Sequence, residues 1–238
     1  MTKNDNISRE GFLNGEIVLI NKPLEWTSFN VVKKMRNLLQ RKYALKKIKV
    51  GHAGTLDPLA SGLLIICIGK STKKISDLQT LTKEYIATIK FGATTPSFDL
   101  ETQIDAVFPY KHITQETLRQ IIDRQFSGTI EQTPPAFSAK RVNGKRAYVL
   151  ARKGEDVKLK PAIINILEIE INEFNLPVVK LRISCGKGTY IRSLAYDLGI
   201  ALNSGGHLIA LERTQIGTYL LENALTIKEF ETVLESAE

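Results

Sequence analysis

Residues 51–62 read GHAGTLDPLASG, and this stretch limits the fold more than any other. Gly51, Gly54 and Gly62 admit backbone angles or close approaches that side chains would block, and Pro58 fixes the chain directly after the only acid of the segment, Asp57. The apolar run Leu63 to Ile68 follows at once and reads as a buried strand. The segment is therefore a tight turn feeding a core strand. A carboxylate held stiffly in nearly uncharged surroundings must find a partner or change its pKa. Taken alone, the segment favours an Asx turn or a helix cap for Asp57 over a catalytic role.

The chain has 238 residues, 43% of them hydrophobic, enough to bury a sizeable core. No apolar run reaches the length of a membrane span, and Met1 to Asn14 lacks the apolar stretch of a signal peptide, so a cytoplasmic protein is expected. Cys67 and Cys185 both sit in apolar, strand-like runs and are expected as buried free thiols. His52, His112 and His207 are scattered and show no ligand spacing with the cysteines, so no metal is expected.

The net charge of +8 is unevenly spread. Lys33, Lys34, Arg36, Arg41, Lys42, Lys46, Lys47 and Lys49 fall in one stretch without an acid and end just before Gly51. An anionic substrate such as RNA or a nucleotide is the leading idea, against the bland reading of a solvated face. The acidic tail from Glu222 to Glu238 is expected to avoid a polyanion.

Glu16 to Ile20 reads as a strand, followed by a helix capped by Thr27 or Ser28 with Val31, Val32, Met35, Leu38 and Leu39 on its apolar face. Beyond the turn, strands are expected at 63–68, 83–91, 163–171, 178–185 and near 207–211. Helices are expected near 71–78, at 115–126 with Thr114 as its cap, at 147–153 and 190–198, and from Thr226 with a capping box to Glu229. Strands and helices mix without βα regularity, which argues for a mixed α/β or α+β sheet. Two nucleotide motifs fail: Gly69-Lys70-Ser71 lacks the earlier glycine of a phosphate loop, and Gly186-Lys187-Gly188 lacks the third glycine of a dinucleotide fingerprint.

Several segments nevertheless stand in one order: the 51–62 turn, Lys83-Glu84-Tyr85, Gln132-Thr133-Pro134-Pro135, Gly144-Lys145-Arg146-Ala147-Tyr148, Gly188-Thr189-Tyr190-Ile191-Arg192-Ser193-Leu194 and Leu211-Glu212-Arg213-Thr214. As a set they resemble the TruB family of tRNA pseudouridine synthases. The resemblance starts at Gly15-Glu16 with Asn21-Lys22-Pro23 and runs to about Thr214. It implies an α+β fold with a mixed, largely antiparallel sheet flanked by helices and loops. It also implies a flexible segment 1–14, a catalytic domain 15–214 and a short helical extension 215–238 without an appended RNA-binding β domain.

The implied activity is isomerisation of uridine 55 in the tRNA T loop to pseudouridine, by a monomer without metal or organic cofactor. Asp57 would be the essential carboxylate, Tyr85 would stack on the uracil and help the C5 proton leave, and Arg192 would pair with Asp57. His52 would support the flipped-out RNA loop, Leu211 would line the uracil pocket and Lys22 would brace the Tyr85 region. The segment Thr94-Thr95-Pro96-Ser97-Phe98-Asp99 departs from the acid-rich loop common in the family, so only Asp99 carries over as a substrate contact. The rival readings are a non-catalytic RNA-binding or RNA-folding protein on the same scaffold, and a glycoside or nucleoside hydrolase, which lacks a second carboxylate in the motif.

Overall fold

A computed structural model describes residues 9–142 and 144–236. The chain forms two compact units, one of residues up to Glu84 and from Glu212, the other Tyr85–Leu211.

The first unit opens with helix α1 (Arg9–Gly15), an element the sequence pattern did not announce, and Phe12 on it is fully buried. Strand β1 (Glu16–Lys22) follows. Helix α2 (Ser28–Lys42) starts where Thr27 accepts the backbone N–H of Asn30, so the capping expectation holds. Val31, Val32, Met35 and Leu39 are its buried stripe. Strands β2 (Val50–Ala53) and β3 (Ala60–Ile68) flank the glycine turn. β3 runs antiparallel to β1 from Gly62 to Ile68 and to β2 from Ile65 to Ile68, and also neighbours β12.

A pure run of branched and apolar side chains lets β3 bury both faces, since alternate residues point to opposite sides. Leu64, Ile66 and Ile68 join Val18, Ile20, Met35, Leu39 and Phe230 in one cluster, while Leu63, Ile65 and Cys67 join Leu19, Leu78 and Ile216 in another. A 3-10 turn at Gly69–Lys74 and helix α3 (Ile75–Thr80) occupy the region where the sequence suggested one helix.

The chain enters the second unit within β4 (Lys83–Phe91), whose burial alternates strictly along its length. A small antiparallel pair, β5 (Ala93–Thr94) with β6 (Ala106–Val107), brackets the loop that carries Asp99. Helix α4 (Gln115–Gln125) begins at the expected Thr114, whose partner in a reciprocal capping box is Thr117. Strand β7 (Gly128–Gln132) and the hairpin of β8 (Arg141–Val142) and β9 (Lys145–Arg146) fall where no strand was expected. Helix α5 (Ala147–Ala151) leads to β10 (Ala162–Asn175) and β11 (Val178–Cys185), paired antiparallel with two irregularities in register.

Helix α6 (Ile191–Ala201) precedes β12 (Gly206–Ile216). A Cβ on Gly199 of α6 would stand 2.3 Å from the Gly206 amide nitrogen, so the helix lies on the strand only because that side chain is absent. In this unit β12, β4, β11, β10 and β7 are neighbours in that order.

Returning to the first unit, β12 pairs antiparallel with β13 (Tyr219–Leu220), and α7 (Ile227–Ser236) follows. Thr226 and Glu229 exchange backbone-to-side-chain bonds of 2.7 and 3.1 Å, the capping box read from sequence. The architecture is a mixed α/β fold with a largely antiparallel sheet, as the resemblance implied. Cys67 and Cys185 are buried free thiols.

Asp197 on α6 lines a cavity of about 480 Å³ with Phe126, Ile130, Tyr196 and Ile200, and burial pushes its carboxyl up to about 6 from 3.8. Below pH 3.8 both folded and unfolded chains hold the proton. As pH rises to 6 the unfolded chain releases it first, so the folded state carries the whole penalty above 6. Asp197→Asn is expected to raise the unfolding free energy by about 1 kcal/mol at pH 8, a value discounted for partial exposure, and to change nothing near pH 3.5. Urea unfolding at the two pH values reads the difference.

Candidate active site

The Asp57 turn is tied down along its length. The Ser28 hydroxyl accepts the Leu56 N–H at 2.9 Å and donates to the Leu56 carbonyl at 3.1 Å. The Glu25 N–H donates to the Pro58 carbonyl at 2.8 Å, and the Ala60 N–H donates to the Asp57 carbonyl at 3.1 Å. At the rims, Arg213 Nε donates to the Leu63 carbonyl at 2.8 Å and a terminal guanidinium nitrogen donates to the Gly54 carbonyl at 3.0 Å. Asp57 itself is half-buried. The expectation of a stiff turn is met by two side chains, Ser28 and Arg213, and by the Glu25 backbone N–H from outside it.

Three of the residues singled out from sequence come together here with Arg213. Lys22, at the end of β1, is fully buried, and its ammonium donates to the Pro23 and Trp26 carbonyls at 2.9 and 2.6 Å. Burial lowers its pKa from 10.5 to about 8; the Asp57 charge works against that fall and the Arg213 charge adds to it. His52, on β2, is pushed below its ordinary value by burial first and by Arg213 second, with the Gly54 backbone acting in the opposite direction. At neutral pH its imidazole is uncharged, suited to packing and hydrogen bonding rather than to phosphate binding. Arg213 stands in the motif Leu211-Glu212-Arg213-Thr214 between two polar neighbours, which give no sign in sequence that it is buried.

The second unit holds the other candidates. Arg192 lies in the first turn of α6 and is 4% exposed, so it is not the solvent-facing cation of a helix terminus. Its guanidinium donates to the Ser97 and Phe137 carbonyls at 3.2 and 3.0 Å and stands 3.5 Å from the Asp99 carboxylate. Asp99 is 5% exposed and also accepts the Glu101 N–H at 2.9 Å, so its carboxylate is turned inward toward Arg192. The start of α6 is held by Gln132, whose side chain accepts from the Tyr190 N–H at 2.8 Å and donates to the Tyr190 carbonyl at 3.1 Å. Ser193 adds a bond to the Thr133 carbonyl at 2.7 Å. The Gln132-Thr133 motif thus fixes the helix that carries Arg192. Tyr85, buried on β4, and Leu211, half-buried on β12, are the residues at which the chain enters and leaves this unit.

Comparison with known proteins identifies the family. Residues 40–191 match the family described as TruB family pseudouridylate synthase (N terminal domain), and residues 192–238 match the tRNA pseudouridylate synthase B C-terminal domain. The chain belongs to the TruB family. A relative from Parabacteroides distasonis named tRNA pseudouridine synthase B is 58% identical over 224 residues, which cover 94% of this chain and 95% of the relative. One of the same name from Flavobacterium johnsoniae is 52% identical over 227 residues, covering 95% and 99%.

Among solved structures, the crystal structure of a Cbf5-Nop10-Gar1 complex contains a chain that superposes with a TM-score of 0.69 at 25% identity. The match covers 97% of this chain and 57% of that one, so the present chain spans little more than half of that structural relative. Within the TruB family context, the Lys22, His52 and Asp57 cluster lies inside the near-full-length match to the named relatives.

The charge cluster makes a direct test. In protein labelled with 13C at lysine, the Lys22 ε-carbon is expected to titrate near pH 8, and Lys22→Met is expected to remove that signal. Asp57→Asn is expected to move it to lower pH, because the Asp57 charge is what holds the Lys22 proton affinity up. An unchanged midpoint in Asp57→Asn would place the carboxylate out of electrostatic reach of Lys22.

Proposed function

We propose that this chain isomerises uridine to pseudouridine in the T loop of tRNA, at position 55, with Asp57 as the catalytic carboxylate. The observation that carries the reading is the Asp57 turn, a half-buried carboxylate whose backbone is held by six hydrogen bonds beside a fully buried lysine, in a chain 58% identical to a named tRNA pseudouridine synthase B. The reaction breaks the N1–C1′ bond, joins C1′ to C5 and releases the C5 proton, so it is redox-neutral and consumes no water. Asp57 acts at the ribose or base during cleavage and reattachment. Tyr85 stacks on the uracil and assists departure of the C5 proton.

Arg192 supports the Asp57 carboxylate, and what favours this role is that its planar fork is itself held by two carbonyls and Asp99. Asp99, so placed, orients Arg192 instead of meeting solvent. His52 supports the extruded loop, Leu211 lines the base pocket and Lys22 sets the charge beside Asp57. The protein acts as a cytoplasmic monomer, and among the described residues no helix is long and apolar enough to cross a membrane.

Extruding a base from a folded loop costs a few kcal/mol, which basic surface must help offset. Of the basic run, Lys34 is paired with Glu231 at 2.5 Å, Arg36 donates to the Val50 carbonyl and Lys42 donates to the Glu235 carbonyl. Arg41, Lys46, Lys47 and Lys49 remain exposed and are the positions we assign to phosphate. The hairpin of β8 and β9 adds exposed Arg141 and Lys145 in the second unit. Replacing Arg41, Lys46, Lys47 and Lys49 with Ala is expected to flatten the log-log salt dependence of RNA binding by about 0.7 for each phosphate that is no longer neutralised. An unaltered slope would mark them as a solvated face.

The activity is tested by digesting treated T-arm RNA and separating its nucleosides. Wild type is expected to convert one uridine per hairpin to pseudouridine with no free uracil. Asp57→Asn is expected to keep RNA affinity within a few-fold and to lose more than about tenfold in single-turnover rate, or about 1.4 kcal/mol. Unmodified RNA with wild type would favour a non-catalytic RNA-binding role, and released uracil a hydrolase.

A further inference from the structure

We propose that Arg213 is the positioning residue of the Asp57 turn, its guanidinium joining the two rims of the turn and so fixing where the carboxylate stands. This inference rests on Asp57 being the catalytic carboxylate. Arg213 is 1% exposed, and its hydrogen bonds run to the carbonyls of Gly54 and Leu63, one on each side of Asp57. A buried cation is ordinarily neutralised by an acid. Here the structure gives its donors to backbone instead, which places geometry ahead of charge balance as the use of this side chain.

The turn needs such a brace. Gly54 and Gly62 have φ of +92° and +103°, so a pliable residue stands at each end of the loop. A Cβ on Gly62 would lie 2.4 Å from the Arg213 carbonyl oxygen, and a Cβ on Gly54 would lie 3.5 Å from a guanidinium nitrogen. The two glycines let β12 and its arginine come this close, and the arginine then removes the freedom the glycines bring. Ser28 holds Leu56 and Glu25 holds Pro58, but neither reaches the rims. The planar fork donates to the two rims from different nitrogens, Nε to Leu63 and a terminal nitrogen to Gly54, whereas a lysine would have to offer all its donors from one atom. The same guanidinium also bears on the charges near Asp57, since it depresses the proton affinity of Lys22 and of His52.

The test compares wild type, Arg213→Lys, Arg213→Ala and Asp57→Asn in three measurements: RNA affinity, single-turnover rate on T-arm RNA, and amide hydrogen exchange across residues 54–63. Both Arg213 variants are expected to bind RNA within about threefold of wild type and to lose at least tenfold in rate. Exchange in 54–63 is expected to quicken at least tenfold in Arg213→Lys while β1 and α2 exchange as in wild type. Methylguanidinium added to Arg213→Ala is expected to raise its rate severalfold and to leave Arg213→Lys unaffected. Wild-type rate in Arg213→Lys, with Asp57→Asn inactive, would overturn the inference and leave the catalytic assignment standing. An active Asp57→Asn would instead overturn that assignment and the inference with it. Loss of the folded state in both Arg213 variants, or a parallel fall in affinity and rate without rescue, would reduce Arg213 to a structural residue and overturn the inference.

Discussion

The first unit depends on β3 burying both of its faces. Leu64, Ile66 and Ile68 serve one cluster and Leu63, Ile65 and Cys67 the other, so the strand cannot slip by one residue without exchanging both cores. That fixes Gly62 and Leu63 in space, and with them the exit rim of the Asp57 turn. β1, paired along β3 up to Lys22 opposite Gly62, is registered by the same strand. The lysine ammonium is thus delivered beside the carboxylate by strand pairing and not by any local feature of its own sequence. Full burial of a lysine is costly, and this one is met by two carbonyls and by the field of Asp57, at the expense of a proton affinity lowered to about 8.

How much of this was legible follows from where the information lies. The 3.6-residue period of Val31, Val32, Met35 and Leu39, the caps at Thr27, Thr114 and Thr226, and the apolar run of β3 are local signals, and each appears as read. β7 and the hairpin of β8 and β9 were missed because Gln132 and Arg141 to Arg146 carry strand pairing without apolar alternation. Helix α1 was missed because a single buried aromatic, Phe12, in a polar segment gives no period to detect. At the site, the glycines, Pro58 and Asp57 announced a rigid turn. Its fasteners were invisible, since Ser28 and Arg213 lie 28 and 150 residues from the backbone atoms they hold.

Charge counting was instructive in the same way. Eight cations between Lys33 and Lys49 suggested one basic face, and the acidic end of the chain suggested a region kept apart from it. In the folded first unit α7 packs on α2, with Glu231 on Lys34 and the Glu235 carbonyl on Lys42. The acidic helix therefore screens one part of the basic run and leaves the end nearest the Asp57 turn exposed. Opposite charges that look segregated in sequence are here a means of trimming a positive field to the patch where it is wanted.

The pair of hydrogen bonds between Ser28 and Leu56 has a consequence for how such a chain can vary. Because the turn is registered to the first residue of α2, its placement does not depend on the path of the chain between Lys42 and Val50. In that connecting segment Ile48 is anchored in the core, while the exposed Lys46, Lys47 and Lys49 are free to change without carrying the carboxylate along. Grip on a polyanion and aim of the acid are separately heritable properties of one continuous stretch of sequence.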